Sequence, residues 1–201
     1  MAILITSFEP FGGDELNASQ EVMNALPDRI GGAEIVKLCL PVIFGRAAEL
    51  AAEAAERLRP DAIVCLGQAG KREAITPERA AINVMDAAQS DNDGFQPVDT
   101  PVIPGGPAAY FSTLPIKAMV SAMRDIGVPA QISNTAGTYV CNSLMYAMLH
   151  YTATHCPDIP CGFIHVPYLD IQAMGEGVPA LPKDDIVRAV TAALRILTER
   201  P

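Results

Sequence analysis

The sequence predicts an α/β fold: a three-layer α/β/α sandwich with a mostly parallel central sheet. Two observations carry this expectation. Apolar runs such as "AILITSF" (2–8), "AIVCL" (62–66) and "CGFIHVPY" (161–168) are short and nearly continuous, as strands buried on both faces are. They alternate along the chain with segments of helical spacing, the pattern of helices covering both sides of a parallel sheet.

Taken in order, the 2–8 run is followed by the turn signal Gly12-Gly13, and Asn17 or Ser19 is placed to cap a helix through "QEVMNAL". "EIVKLCL" (34–40) nearly alternates, as a strand would. From Phe44 to Leu58 the chain is Ala-rich, with Glu49, Glu53 and Glu56 on a solvent face. Pro60 stops that helix, and Arg57 and Arg59 suit its C-terminal dipole. A strand at 62–66 follows, and "AAINVM" (80–85) is expected to be one more. Residues 86–114 hold Pro97, Pro101, Pro104 and Pro107 with Gly94, Gly105 and Gly106, and fit no regular element. So long a run points to a functional loop or an interface arm. "PIKAMVSAMRDIG" (115–127) reads as a helix from Pro115 to Gly127. "AQIS" (130–133) reads as a strand, 139 to about 153 as a helix, and 161–168 as a strand ending at Pro167. The last helix is expected over 184–199 with Asp184 as its cap. No internal repeat is visible, and one domain spanning 1–201 is expected.

Half the residues are apolar, 18% are charged and no low-complexity tract appears, which is a globular composition. The formal net charge is −9, and the 14 Lys and Arg form no stripe. Nucleic acid and anionic membranes attract basic surfaces, so neither is an expected partner. No apolar run has the roughly 18 residues of a membrane span, and the N-terminus has no signal-peptide pattern. Five cysteines are an odd number, which argues against a disulfide framework and for a reducing, cytoplasmic setting.

Cys141 follows the 130–133 segment and falls in the first turn of a helix, within "NTAGTYVCNSLMYAML" (134–149). A helix start favours a thiolate and offers free N–H groups to an oxyanion, so Cys141 is a candidate nucleophile. Its alternative is core filler, the reading given to Cys39 and Cys65 inside apolar strands. A thiol nucleophile wants a histidine, and His165 lies near the carboxyl end of its strand, at the sheet edge where ligands bind. The competing reading is a satisfied core histidine. His150 and His155 lie well down the helix or in a loop. Cys156 and Cys161 with these histidines lack zinc-ligand spacing, and "SFEPFGG" lacks both phosphate-loop patterns, so no metal or nucleotide is expected. Phe8, Phe11, Gln68, Cys141 and His165 all fall at or just past carboxyl ends of expected strands, with Glu78 ten residues beyond Gln68.

Six blocks in order carry a resemblance over essentially the whole chain: "TSFEPFGG", "GQAGKREAITPERAAIN", "SDNDGFQPVDTPV", "GGPAAYFSTLPIKAMV", "TAGTYVCN" and "GFIHVPY". The sequence resembles the pyroglutamyl-peptidase I (pyrrolidone-carboxylate peptidase) family of cysteine peptidases. The resemblance implies removal of N-terminal pyroglutamate from peptides through a Cys-His-Glu triad at Cys141, His165 and Glu78, without cofactor. It implies that Phe8 and Phe11 wall the lactam ring, and that Asn17, Gln68 and Tyr139 line the same region. It also implies a homo-oligomer, a tetramer by preference, with 86–114 near the site and at subunit contacts. Three positions depart from the family pattern. Ala88 in "DAAQSDN" stands where an arginine is expected near the site, Tyr139 replaces a phenylalanine, and Lys71 stands where glycine is common. Ala88 leaves room for two other readings: a weakly active relative that binds pyroglutamyl peptides, or a hydrolase of another cyclic amide.

Overall fold

Strand β1 (Ala2–Phe8) has a parallel neighbour on each side and helices over both faces, which is why its apolar residues run consecutively. The computed structural model describes residues 1–174 and 177–199 of the chain. Its strands are β1, β2 (Arg29–Ile30), β3 (Ala33–Leu40), β4 (Ala62–Gln68), β5 (Thr76–Pro77), β6 (Ala80–Ile82), β7 (Ala109–Phe111), β8 (Cys161–Val166), β9 (Tyr168–Leu169) and β10 (Ala180–Leu181). Its helices are α1 (Ala18–Ala25), α2 (Arg46–Leu58), α3 (Ile116–Asp125), α4 (Val140–His155) and α5 (Lys183–Thr198). The central sheet has the order β2-β3-β1-β4-β8-β5. Strands β3, β1, β4 and β8 are parallel, and short antiparallel strands close both edges.

Alternate side chains of the sheet feed two separate cores. Ile3, Ile5, Val64, Leu66, Ile164 and Val166 pack under α1, α3 and α5. Leu4, Ile63, Cys65, Cys161 and Phe163 pack under α2 and α4. Helix α2 meets the sheet through Ala47, Ala51, Ala54 and Ala55, small residues that let its backbone approach closely. It ends on Arg59 in the left-handed conformation (φ 48°), just before Pro60. Asn17 resolves the first capping alternative, since its side chain accepts from the Ser19 backbone N–H.

Three expectations need correction. Residues 130–133 form no continuous strand. They make two isolated parallel bridges, Ile75 with Ala130 and Glu78 with Ser133, in one common register. The ladder bonds from Ile75, Gln131, Ser133 and Arg79 are in place; the one missing donor is Pro77, which has no N–H to give. The 80–85 strand stops at Ile82 and pairs with β7 in a separate ribbon, not in the central sheet. There the buried Asn142 side chain takes over, accepting from Ile82 N and donating to Ile82 O and Val84 O. Helix α5 begins at Lys183 after Pro182, so Asp184 lies inside its first turn and is not its cap. The 161–168 strand does end at Pro167, after which β9 turns away to pair with β10. The 86–114 segment is largely irregular but well tied: Met85 bridges Thr100, Asp91 accepts from Phe44 N and Phe95 N, and β7 closes its far end.

Candidate active site

The parallel sheet carries β1, β4 and β8 to one edge, and the candidate residues gather there. Cys141 is the second residue of α4, two residues before Ser143, whose N–H makes the first i→i−4 bond to Tyr139 O. Its sulfur lies over Gly67: a Cβ built on Gly67 would come within 3.0 Å of Cys141 Sγ and 2.6 Å of the Phe163 ring. Only a glycine leaves that space. Gly67 is the register partner of His165, so the thiol and the imidazole stand over one β4–β8 pair.

His165 is 4% exposed and Glu78 is fully buried, with His165 Nδ1 2.7 Å from Glu78 Oε1. A carboxylate oxygen can only accept, so Nδ1 carries the hydrogen and Nε2 is left as a base. The same Oε1 accepts from Arg72 Nη1, while Arg72 Nη2 donates to the Thr135 carbonyl at 3.2 Å. Glu78 itself is fixed by its N–H to Phe163 O. Burial alone would raise the Glu78 pKa. The hydrogen bond and charge of His165, with Ser133 and Arg72, outweigh it and hold the carboxyl below its ordinary value. Burial lowers the His165 pKa, with Arg72 acting the same way and Glu78 opposing. The imidazole therefore rests neutral at neutral pH.

The helix start does not make Cys141 a resting thiolate. Burial, and then the negative charge of Glu78, push its thiol up to about 12, although the residue keeps some accessible surface. A helix end supplies about 0.3–1 kcal/mol, less than one pKa unit, and burial outweighs it. The resting set is a neutral thiol, a neutral imidazole and a carboxylate. Such a set can move a proton from sulfur to Nε2 as the sulfur attacks an acyl carbon.

Beside the thiol lies a narrow recess of about 10 Å³ lined by Phe8, Phe11, Asn17, Val42, Gln68, Tyr139, Val140 and Cys141. All five residues expected to line a binding region are thus brought together with the cysteine. Phe11 and Tyr139 lie with ring centroids 6.2 Å apart, and Tyr139 stands edge-on to Phe44 at 5.3 Å. The Tyr139 hydroxyl donates to the Ser90 carbonyl at 3.0 Å, which ties the 86–95 loop to the start of α4. Asp86 and Thr138 anchor the same loop, so position 88 lies between two ties to the start of α4. The two amides are largely committed. Asn17 Oδ1 accepts from Ser19 N and Oγ, and Gln68 Oε1 accepts from Ala18 N and Gln172 Nε2. Asn17 Nδ2 donates to Glu9 O and Gln68 Nε2 to Asp14 Oδ2, so each amide keeps one further N–H to offer a ligand as a donor.

The family model described as pyroglutamyl peptidase matches residues 1–200. The chain belongs to that family. It is 50% identical over 198 residues to pyrrolidone-carboxylate peptidase of Levilactobacillus brevis, covering 98% of this chain and 97% of the relative. The peptidase of the same name from Alkaliphilus oremlandii is 48% identical over 200 residues, with 99% and 94% covered. Among solved structures, pyroglutamyl peptidase I of Bacillus amyloliquefaciens superposes with a TM-score of 0.95 at 41% identity, over 99% of this chain and 97% of that one. A mutant pyrrolidone carboxyl peptidase from the hyperthermophile Pyrococcus furiosus gives 0.94 at 40% identity, over 99% of each chain.

Sequence reasoning missed Arg72, Gly67, Val42 and Val140. Arg72 had a signal, a cation six residues before the acid in "KREAITPE". The role of Gly67 needed the β4–β8 register, and Val42 and Val140 look like any core valines until the recess is built.

Proposed function

We propose that the protein is a cysteine exopeptidase that removes N-terminal pyroglutamate from peptides, with Cys141 as nucleophile, His165 as acid and base, and Glu78 as orienting carboxylate. One observation carries this reading: an aromatic-walled recess opens directly on a thiol that stands over the same strand pair as a buried His–Glu couple. Pyroglutamate is an uncharged lactam, so apolar walls and a few N–H donors suit it better than a charged clamp.

The steps follow from the resting protonation. Sulfur attacks the pyroglutamyl carbonyl while His165 Nε2 takes the thiol proton. Glu78 stabilises the imidazolium without taking the proton itself. The N–H groups at the start of α4, chiefly that of Cys141, face the developing oxyanion. Imidazolium then protonates the departing amine as the C–N bond breaks, leaving a thioester. Water, giving a proton to Nε2, hydrolyses the thioester and releases pyroglutamate and the thiol.

A fluorogenic pyroglutamyl amide in reducing buffer tests the reading, with the matching prolyl amide as control. Release of amine from the first and not the second is expected, since proline lacks the ring carbonyl and carries a charge. A folded, reduced protein that releases neither would overturn the peptidase reading. We further infer a homo-oligomer, a tetramer by preference, supported by the large exposed apolar residues Phe95, Val98 and Phe111. Five free cysteines support a reducing, cytoplasmic setting.

A further inference from the structure

We propose that Arg72 is a positioning residue of this site: its guanidinium holds the Glu78 carboxylate in place for His165 and ties that carboxylate to the segment that leads into Cys141. The proposal rests on the peptidase reading for its consequence in turnover, and on geometry alone for the hold itself. Arg72 lies in the turn after β4, with its side chain 27% exposed while Glu78 is fully buried. One nitrogen, Nη1, donates to Glu78 Oε1 and to Thr76 Oγ1; the other, Nη2, reaches Thr135 O. Three pieces of chain therefore meet on one planar fork: the start of β5, the acid just past it, and the run from 133 to 138 that delivers the nucleophile.

That junction is where the fold needs a tie. Pro77 removes one ladder bond between the β5 segment and residues 130–133, so backbone pairing there is incomplete. The contact between Arg72 Nη2 and Thr135 O joins the chain just before the first of these segments to the chain just after the second. A guanidinium suits this task better than an ammonium, because its donors have fixed directions and can serve two acceptors at once.

Position and charge act together. The charges acting on the His165 imidazole are Glu78, from beyond β5, and Arg72, from beyond β4, and the Cys141 thiol of α4 stands over the same β4–β8 pair. Cys141 of α4 feels Glu78, Arg72 and then Cys65 of β4. Sharing Oε1 with Arg72 spreads the carboxylate charge, so Glu78 orients the imidazole without locking a proton on it. Removal of the cation leaves that charge to His165 alone, and the imidazole then keeps its proton to higher pH.

The test compares wild type, Arg72→Gln and Arg72→Lys by turnover of the fluorogenic pyroglutamyl amide against pH. The His165 ring is titrated in parallel by NMR; with only three histidines in the chain, the missing signal in His165→Gln assigns it. Arg72→Gln is expected to lower kcat by about 10–100-fold, part of what acid–base catalysis contributes, with KM within about threefold. The acid limb of its kcat/KM profile and its His165 titration should both move to higher pH. Arg72→Lys should restore the His165 titration but not kcat, since one ammonium does not span Glu78 and Thr135. An Arg72→Gln variant with wild-type kcat, or with an unmoved His165 titration, would overturn the proposal. Should the wild type itself release no amine, the peptidase reading fails, while the NMR comparison still decides whether Arg72 governs the His165–Glu78 pair.

Discussion

At the scale of single residues, Cys141 and His165 are both held in their neutral forms by burial, and that predicts the shape of the rate profile. His165 is pushed below the ordinary histidine pKa of about 6.5, so it works as a base at neutral pH and is lost only on acidification. Activity should therefore persist below pH 6.5 and fall as His165 protonates, read as the acid limb of kcat/KM. An acid limb well above that value would show that Glu78 dominates the imidazole. Ala88 sits on a loop tied to Thr138 and Tyr139, within reach of the nucleophile's turn. Ala88→Arg should raise kcat/KM by about tenfold or more, toward the 10²–10³ that one oxyanion donor is worth, while leaving Tm nearly unchanged. The gathering of Phe8, Phe11, Gln68, Cys141 and His165 at one sheet edge was legible in the sequence from strand-end positions, while the roles given to Glu78 and the aromatic walls came from the family resemblance. The protonation state of Cys141 was not legible, because it depends on burial and on Glu78, far away in the chain.

At the scale of elements, α4 does two things at once. Its second residue is the cysteine and its third, Asn142, substitutes for a strand partner by holding Ile82 and Val84. Asn142→Ala leaves three backbone groups without partners at a fully buried position. The expected cost is about 2–4 kcal/mol, measured as a lower midpoint of urea unfolding at unchanged slope. A variant as stable as wild type would show that water or a rearranged loop satisfies those groups. The same contact explains why "AAINVM" is a strand only over Ala80–Ile82: beyond β7 a side chain 60 residues away supplies the hydrogen bonds instead. The 130–133 run failed differently. It keeps the register of a strand, but Pro77 opposite it removes a donor. Continuous runs such as β1, β4 and β8 were legible because burial on both faces leaves no room for polar residues.

At the scale of the whole molecule, two helical layers cover a sheet whose interior contains titratable thiols. Burial pushes Cys65 up to about 12 and Cys161 well above its ordinary value. Both groups stay protonated in the folded state at a pH where the unfolded chain ionises. Their contribution to stability is complete below pH about 8.5 and is lost as pH rises toward the folded values, at about 1.4 kcal/mol per pH unit for each thiol. Urea midpoints should fall between pH 9 and 10, and Cys65→Ala should reduce that slope whatever it does to stability at pH 7. A slope unchanged by the substitution would place the alkaline loss elsewhere. Above these effects stands the claim that the Cys141 sulfur attacks the pyroglutamyl carbonyl. The most direct test is rapid-quench mass spectrometry of the intact protein mixed with a pyroglutamyl amide, for wild type and Cys141→Ser. A transient pyroglutamyl adduct that maps to Cys141 and disappears in Cys141→Ser, together with turnover, is the predicted result. An adduct on another residue, or undiminished turnover by Cys141→Ser, would contradict the account.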